Sequence, residues 1–331
     1  MNIDEILAAF PRASALVVGD ICLDRWCTYD PETSEPSRET GISRIGVVRV
    51  ETTPGAGGTV ANNLASLGIG RVAVLGAIGD DGHAYELRRA LAARGISAEL
   101  LVDSKELPTF TYTKLLNAQT GEEDQPRIDF IHTRPLPAVI EDEVVERLLS
   151  SAQDFDVILV SDQAETRQGG VITAKVREAL CNIARTQPDR IVWVDSRVRS
   201  HLFSNVILKP NEDEAAAAAI ALLGSKNYPA FRRRLEARLL FVTQGPRGVL
   251  VIDDEGERLV AGRAIDKPVD ICGAGDSFSA GAAVALAATG SPVEAARFGN
   301  LVASITIMKK GTGCASPDEV RAAARETWVQ A

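Results

Sequence analysis

The segment from residue 270 to residue 281, DICGAGDSFSAG, carries the strongest chemical signal in the sequence. Gly273, Ala274 and Gly275 are small, so the backbone can turn tightly there and expose successive N–H groups. The apolar run that follows predicts a helix over 278–288, and the positive end of its dipole would point to the same place as those amides. The sequence therefore predicts an anion site at the start of this helix.

Asp276 lies in the first turn of the predicted helix, beside that anion site. A carboxylate repels an anion, so its presence there indicates a base that removes a proton from an attacking hydroxyl group. The alternative is a structural cap of the helix, a role that aspartate often takes. The spacing alone leaves both interpretations open.

Apolar runs of strand length alternate with helical patterns along most of the chain. The predicted strands are 14–20, 71–79, 155–162, 190–195, 205–210, 239–245 and 248–253. The predicted helices are 62–67, 85–93, 170–185, 212–223 and 231–237. Continuous apolar strands between helices are typical of a parallel sheet that is covered on both faces. Because the sequence has no internal repeat and no low-complexity linker, we expect one domain over residues 1–331.

Two segments break this alternation, at about 25–52 and about 109–133. The first ends in the strand-like VVRVET, and the second has the pattern of a β-hairpin with its turn around Thr120 and Gly121. We expect these strands to form a small β lid over the carboxyl ends of the main strands, where open α/β sheets bind ligands. Because an accessory sheet exposes strand edges, we also expect the lid to pair with that of a second subunit in a homodimer.

Composition excludes several classes of function. Acidic residues outnumber basic ones by 45 to 36, which argues against DNA or RNA as a partner. The longest run of small apolar residues, 280–288, is too short to cross a membrane, and the acidic start MNIDEILAAF lacks the features of a signal peptide. The five cysteines include no metal-type C-x-x-C pair, which predicts reduced thiols and a cytoplasmic location.

The segment 270–281 resembles the carboxyl-terminal signature of the PfkB, or ribokinase-like, carbohydrate kinases, and the similarity runs from Leu16 to about Pro317. The resemblance implies a ribokinase-like fold, a three-layer α/β/α sandwich with a mostly parallel central sheet and a small β lid. It also implies transfer of the γ-phosphoryl group of ATP to a sugar hydroxyl, with Mg²⁺ on the nucleotide phosphates. In that family, the residue at Asp276 is the catalytic base, and the amides at 273–275 form the anion hole.

The acceptor side of the family site is also represented. The stretch VVGDICLDRW, residues 17–26, is similar to the first strand of the family, and Asp24 matches the carboxylate that binds sugar hydroxyls. An acid just past a buried strand would lie at the sheet edge, where it can accept hydrogen bonds from a polyol. The alternative is an ordinary solvated acid in a loop.

The glycine-rich stretch PGAGGTVANNLASLG, residues 54–68, matches the amino-terminal signature of the family less closely. The resemblance implies that the acceptor is contacted by Gly55, Ala56, Gly57 and Thr59. The family pattern has glycine at 56 and asparagine at 59. Since Thr59 can make one hydrogen bond but not the two-ended pattern of an amide, this departure bears on the identity of the sugar.

Two further motifs imply a nucleotide site. KPNEDEA, residues 209–215, resembles the N-x-x-E motif through Asn211 and Glu214, which is associated with phosphate and with magnesium-bound water. The same two residues also suit a helix N-cap, and the two roles are compatible. The TQGPRG turn and a position in FGNLVASITIMKKGTG match family residues near ATP, namely Thr243, Gly245, Gly248 and Asn300.

Four segments look most similar to the heptose-phosphate kinase branch of the family: GDICLDRW, PTFTYTKLL…RIDF, LVSDQ and FGNLVASITIMKKGTG. Lys114, Arg127 and Asp129 in the lid would then meet a charged tail of the acceptor, although they could also be ordinary surface charges. Asp270 matches a residue at the monovalent-cation site, for K⁺, of some members, but the usual threonines after it are replaced by Ile and Cys. Some members of the branch carry a fused nucleotidyltransferase, which we expect this chain to lack.

The sequence also leaves two other functions open. One, suggested by Thr59, is a sugar- or nucleotide-binding protein that no longer transfers phosphate. The other is a kinase for a nucleoside or a pyridoxal-like alcohol. Asp276 with its anion site favours the active kinase, and Asp24 favours a polyol acceptor. A nicotinamide oxidoreductase is disfavoured because Val60 occupies the third glycine position of the dinucleotide fingerprint.

Overall fold

The computed structural model describes residues 2–164 and 168–328. The helices are α1 (Ile3–Ala9), α2 (Gly57–Ser66), α3 (Gly82–Ala92), α4 (Ala138–Ser151), α5 (Ala174–Thr186), α6 (Glu212–Leu223), α7 (Tyr228–Arg234), α8 (Ala274–Thr289), α9 (Pro292–Thr306) and α10 (Pro317–Trp328). The strands are β1 (Ser14–Gly19), β2 (Ile21–Tyr29), β3 (Val47–Ala56), β4 (Arg71–Leu75), β5 (Ala77–Gly79), β6 (Val102–Ser104), β7 (Thr111–Asn117), β8 (Ile128–Phe130), β9 (Val157–Asp162), β10 (Ile191–Ser196), β11 (Ile207–Leu208), β12 (Leu239–Thr243), β13 (Val249–Ile252) and β14 (Glu257–Val260).

The main sheet has the strand order β14-β13-β12-β11-β10-β9-β1-β4. Six neighbouring strands of this sheet run parallel, namely β4, β1, β9, β10, β11 and β12. Strands β13 and β14 are antiparallel additions at one edge. Alternate residues of β1 enter different cores: Val17 packs with helices α1, α2, α8, α9 and α10, whereas Leu16 and Val18 pack with α4 to α7. Because the parallel strands are buried on both faces, they appear in the sequence as continuous apolar runs, and the predicted three-layer sandwich is confirmed.

A second sheet, with the order β3-β2-β7-β8, forms the lid. Strand β2 follows β1 after Asp20 alone, because Gly19 adopts φ 137° and turns the chain. The first lid segment, formed by β2 and β3, therefore begins at Ile21 and ends at Ala56. It extends beyond the predicted segment 25–52 at both ends. The predicted hairpin is observed, with Thr111 of β7 opposite Phe130 of β8 in antiparallel pairing.

Register decides which lid side chains share a face. Asp24 lies opposite Thr53 on β3 and Tyr112 on β7, and Trp26 lies opposite Lys114. Directly opposed residues point to the same side of a sheet, so these side chains form one face. The alternative that Asp24 is a solvated acid in a loop is wrong, because Asp24 lies inside β2, where sheet pairing fixes its direction.

Two further observations bear on the composition. The five cysteine thiols are all free, and those of Cys22 and Cys27 are buried. None of the described helices is long and apolar enough to cross a membrane.

Candidate active site

A cavity of about 280 Å³ lies between the lid and the carboxyl ends of the main strands. The lid supplies Asp24 from β2, the chain after β9 supplies Gln163, and the start of α8 supplies Asp276. The residues singled out in the sequence that line this cavity are Asp24, Ala56, Thr59, Lys114, Arg127, Asp129, Gly273 and Asp276. Segments far apart along the chain are thus brought to one site.

The turn before α8 is held open by one glycine. Gly273 has φ 77° and caps the helix, which begins at Ala274, four residues before the predicted start. The positive φ favours glycine at this position, and a Cβ would also make a tight contact of 3.3 Å with a side-chain carbon of Thr312.

The amides of this turn are not all available. The N–H of Ala274 donates to the carbonyl of Ile271 at 3.2 Å, and its contribution to an anion hole stays a prediction. Among the described residues, the N–H groups of Gly273 and Gly275 have no acceptor. These two donors, with the positive end of the α8 dipole, are the features that can bind an anion here.

Asp276 presents an unpaired carboxylate to the cavity. No described residue donates a hydrogen bond to it, nor does a cation form an ion pair with it. Burial, followed by the negative charge of Asp195, raises the pKa of Asp276 to about 7, and Lys209 and Arg197 act in the opposite direction. The carboxylate therefore changes protonation near neutral pH, which suits proton transfer.

Lys209 and Asp195 form a buried ion pair that sequence reasoning missed. The Lys209 ammonium lies 2.5 Å from a carboxylate oxygen of Asp195, and it is 3.2 Å from the position of a Cβ on Gly275. Burial works to lower the pKa of Lys209, but the Asp195 carboxylate outweighs it and raises the pKa. A fixed positive charge therefore lies next to the anion-binding turn.

Asp24 has a similarly exceptional environment on the opposite wall. Burial raises its pKa to about 6, whereas the charges of Lys114 and Arg127 act to lower it. Its carboxylate rests on Gly55 of the neighbouring strand, where a Cβ would overlap the carboxylate oxygens. No described residue donates a hydrogen bond to Asp24, and because a buried polar group without a partner is costly, this carboxylate is suited to accept from a ligand.

The backbone of the glycine turn between β3 and α2 matches the family pattern more closely than its amino-acid sequence does. Ala56 has φ 49°, a value that favours glycine, and the family has glycine at that position. The N–H of Gly57 donates to the carbonyl of Asp20 at 2.9 Å. The hydroxyl of Thr59 is directed to the carbonyl of Pro54 at 3.4 Å, so its single donor is used within the turn.

Besides Arg25, which pairs with Glu86 at 3.0 Å, three cationic side chains of the described residues line the cavity. Lys114 lies 4.6 Å from the centre of the Trp26 ring and 3.6 Å from a carboxylate oxygen of Glu123. Arg127 is 2.7 Å from Asp129. Arg197, the third, was not predicted, and its Nε donates to the side chain of Gln163 at 2.8 Å. Their presence makes the outer part of the cavity suitable for an acidic group on the ligand.

The residues with a predicted nucleotide role lie outside this cavity. Asn211 and Glu214 form a capping box, with hydrogen bonds of 2.9 and 2.8 Å between the side chain of each and the N–H of the other. Thr243 bridges to Asn211, and the turn that follows contains Gly245 at φ 56° and Gly248 at φ 100°. Asn300 donates to the carbonyls of Val260 and Ala261 at 3.2 Å. Thr243, Gly245 and Gly248 thus lie at the end of β12 and in the turn to β13, and Asn300 of α9 contacts the end of β14. We refer to this region as the edge formed by β12, β13 and β14.

The carboxylate of Asp270 is occupied by backbone donors. One oxygen accepts from the N–H of Cys272 at 2.9 Å and the other from that of Gly311 at 3.0 Å. In the described part of the chain, no three His, Cys, Asp or Glu side chains cluster as a metal site would require. A monovalent-cation site near Asp270 remains a prediction.

Known proteins resemble this chain over almost its full length. Curated relatives include the bifunctional protein HldE of Rhodopseudomonas palustris (strain BisB18), 29% identical over 97% of this chain, and that of Pelobacter propionicus, 30% identical over 96%. The chain spans 65% and 64% of the length of these two relatives.

Solved structures share the fold. Ribokinase from Thermotoga maritima has a TM-score of 0.70 at 22% identity, covering 95% of this chain and 99% of its own. Phosphofructokinase-2 from Escherichia coli in complex with potassium has a TM-score of 0.68 at 19% identity, covering 95% and 99%. The predicted ribokinase-like fold is therefore confirmed. The family model described as pfkB family carbohydrate kinase matches residues 13–319, and the chain belongs to that family.

Proposed function

We propose that this protein transfers the γ-phosphoryl group of ATP to a hydroxyl group of a phosphorylated sugar. The observation that carries the proposal is the unpaired Asp276 carboxylate beside the amides of Gly273 and Gly275, with the Lys209 ammonium next to the turn. Asp24 faces the same cavity from the lid. A base, an anion site and a polyol-binding carboxylate are what phosphoryl transfer to an alcohol needs.

In the proposed mechanism, Asp24 accepts hydrogen bonds from acceptor hydroxyls and fixes their orientation. Asp276 takes the proton of the attacking hydroxyl while the oxygen of that hydroxyl bonds to the γ-phosphorus of ATP. The bond between the γ-phosphorus and the oxygen that bridges it to the β-phosphate breaks, and ADP leaves. The amides of Gly273 and Gly275 and the Lys209 ammonium stabilise the negative charge of the transferred group. Lid strands β2 and β7 exclude water from the cavity, which limits hydrolysis of ATP.

ATP is proposed to bind along the edge that carries Thr243, Gly245, Gly248 and Asn300. Glu214 fits a role in holding Mg²⁺ through water, because one of its oxygens accepts from Asn211 and no described residue donates to the other. When bound, Mg²⁺ neutralises charge on the nucleotide phosphates.

The phosphorylated acceptor is inferred from Lys114, Arg127 and Arg197. These cations line the outer cavity, whereas an uncharged sugar needs only hydrogen-bonding groups. The sequence similarity to the heptose-phosphate kinase branch supports a seven-carbon sugar phosphate.

The proposal is tested by ADP release with a panel of ribose, fructose, fructose 6-phosphate, mannose 6-phosphate, sedoheptulose 7-phosphate, a seven-carbon aldose phosphate and inosine. We expect turnover with at least one sugar phosphate, and much slower turnover with the same sugar without its phosphate. Turnover confined to inosine or to uncharged sugars, or binding without turnover of any acceptor, would contradict it.

Activity is expected to fall progressively as the pH is lowered below 7. Because the pKa of Asp276 is about 7 and the base must be deprotonated, kcat/KM should fall about tenfold per pH unit below 7. Protonation of Asp24, whose pKa is about 6, should add a further loss below pH 6. Measurement of kcat/KM from pH 5.5 to 8.5 decides this, since a profile that stays level down to pH 5.5 is incompatible with Asp276 as the base.

Gly55→Ala is expected to raise the KM for the acceptor by about tenfold or more. The added Cβ would overlap the Asp24 carboxylate and turn it away from the cavity, whereas the ATP edge is untouched. Steady-state kinetics with each substrate varied in turn separates the two KM values. Gly82→Ala is the matched control, because a Cβ there meets nothing within 4 Å. Equal behaviour of the two variants would count against Asp24 as an acceptor ligand.

A homodimer formed through the lid is also proposed. Strands β3 and β8 are the edges of the lid sheet, and both carry exposed apolar side chains, namely Val47, Val48, Val50, Ile128 and Phe130. Light scattering of the purified protein should give twice the chain mass, and a monomeric mass would remove this proposal. A cytoplasmic location remains a prediction.

A further inference from the structure

Asp20, between β1 and β2, is a buried acid with no part in the mechanism above. Its side chain is 1% exposed. One carboxylate oxygen accepts from the N–H groups of Gln163 and Ala164, each at 2.9 Å, and the other accepts from that of Val171 at 2.8 Å. Three backbone donors on one carboxylate fix the course of the chain directly after β9.

The main chain of the same residue holds a second wall of the cavity. Its carbonyl accepts from the N–H of Gly57, the first residue of α2, at 2.9 Å. Its own N–H donates to the carbonyl of Ser161 at 3.0 Å. Asp20 therefore joins the glycine turn to the segment after β9, and the cavity lies between the two.

Gln163 carries this arrangement to a charged group. Its side-chain oxygen accepts from Nε of Arg197 at 2.8 Å, and both side chains line the cavity. The charge of Arg197 also acts to lower the pKa of Asp276, so the guanidinium lies within electrostatic reach of that carboxylate. Ala164, which Asp20 also holds, packs against Cys22 and Phe110 to complete this wall.

A neutral side chain could not replace this carboxylate without loss. Alanine offers no acceptor, so the N–H groups of Gln163, Ala164 and Val171 would all lose their partner. Asparagine is a weaker replacement, because its single oxygen can keep Gln163 and Ala164 and leave only Val171 without a partner. An unsatisfied buried donor is destabilising, and the segment that carries it would move to find another acceptor. Here, that segment includes Gln163 and Ala164.

We propose that Asp20 is a positioning residue for the acceptor pocket, holding Gln163 and Ala164 and, through Gln163, the Arg197 guanidinium against the acceptor. The inference rests on the proposed function in one respect, that the acceptor occupies this cavity. It extends that function, because acceptor affinity would then depend on a residue that does not itself contact the acceptor.

Steady-state kinetics of Asp20→Ala and Gln163→Leu test the proposal with the best sugar phosphate of the panel. We expect both variants to raise the acceptor KM by about tenfold or more and to leave the KM for ATP within about twofold. Asp156→Ala is the matched control, because its carboxylate accepts from the N–H of Ser14 at the opposite end of β1. Equal effects on both KM values, or an unchanged acceptor KM, would overturn the proposal. If Asp20→Ala does not fold, the split in Gln163→Leu decides.

Amide hydrogen exchange provides a measurement that needs no acceptor. In Asp20→Ala, peptides covering 157–164 should exchange faster than in the parent protein, and peptides covering 274–289 should not change. Unchanged exchange over 157–164 would overturn the proposal. If the parent protein phosphorylates no acceptor of the panel, the proposed function fails, while this result still decides whether Asp20 positions the segment.

Discussion

Replacement of Asp276 by asparagine is expected to lower turnover by at least about a hundredfold while ATP binding is retained. Asparagine preserves the shape of the side chain but cannot take the proton of the attacking hydroxyl, and loss of a general base has effects of this size. ADP release gives turnover, and isothermal titration with ATP gives binding. Turnover close to normal would mean that another group removes the proton.

The same variant separates catalysis from capping. Burial raises the pKa of Asp276 to about 7, well above that of an unfolded aspartate, so the charged carboxylate destabilises the folded state at pH 8. We therefore expect Asp276→Asn to raise the free energy of unfolding at pH 8 by roughly 1 to 3 kcal/mol, a gain that disappears below about pH 4. A residue that only caps the helix would show no such gain, because asparagine caps a helix about as well as aspartate does. Asp318→Asn, which changes an exposed acid in the first turn of α10, is the control and should show no gain at pH 8.

Lys209→Met is expected to damage both stability and turnover. It leaves the Asp195 carboxylate buried without its partner, which costs about 3–5 kcal/mol. It also removes the positive charge next to the anion-binding turn, so turnover should fall by about a hundredfold in whatever fraction stays folded. Chemical denaturation and ADP release measure the two effects. Lys175→Met, which breaks an exposed pair with Asp142, should change neither.

A double variant distinguishes these effects. Lys209→Met with Asp195→Asn removes both charges, so most of the lost stability should return. Turnover should remain low, because no ammonium lies next to the transferred group. Recovery of turnover together with stability would mean that Lys209 serves the fold and not the reaction.

The fold was predictable where local chemistry and tertiary structure agree. Helix α6 has the predicted bounds, 212–223, because its capping box and alanine-rich run both favour a helix there. The helix predicted at 62–67 begins at Gly57 instead. Its first turn contains two glycines, which disfavour a helix by local propensity, but this turn is buried in the fold. Predicted strand 71–79 is divided at Gly76, where the chain leaves the main sheet for β5. Helices α4, α9 and α10 were not predicted.

The site was predictable where one segment carries it. Asp276 and Gly273 share a single turn, and their spacing predicts their proximity. Asp195, Arg197 and Lys209 were missed because they meet Asp276 only after distant strands become neighbours in the sheet. Each lies at or just past the end of a predicted strand, so the rule that ligands bind at the carboxyl ends of parallel strands was the available signal.

The account depends most on where the acceptor oxygen lies, and a crystal structure with a sugar phosphate of the panel and a non-hydrolysable ATP analogue measures this directly. We predict one acceptor hydroxyl within about 2.6–3.2 Å of an Asp276 carboxylate oxygen and facing the γ-phosphate, with other hydroxyls on Asp24. An acceptor bound in the cavity with every hydroxyl out of reach of Asp276, while the nucleotide is in place, would contradict the account.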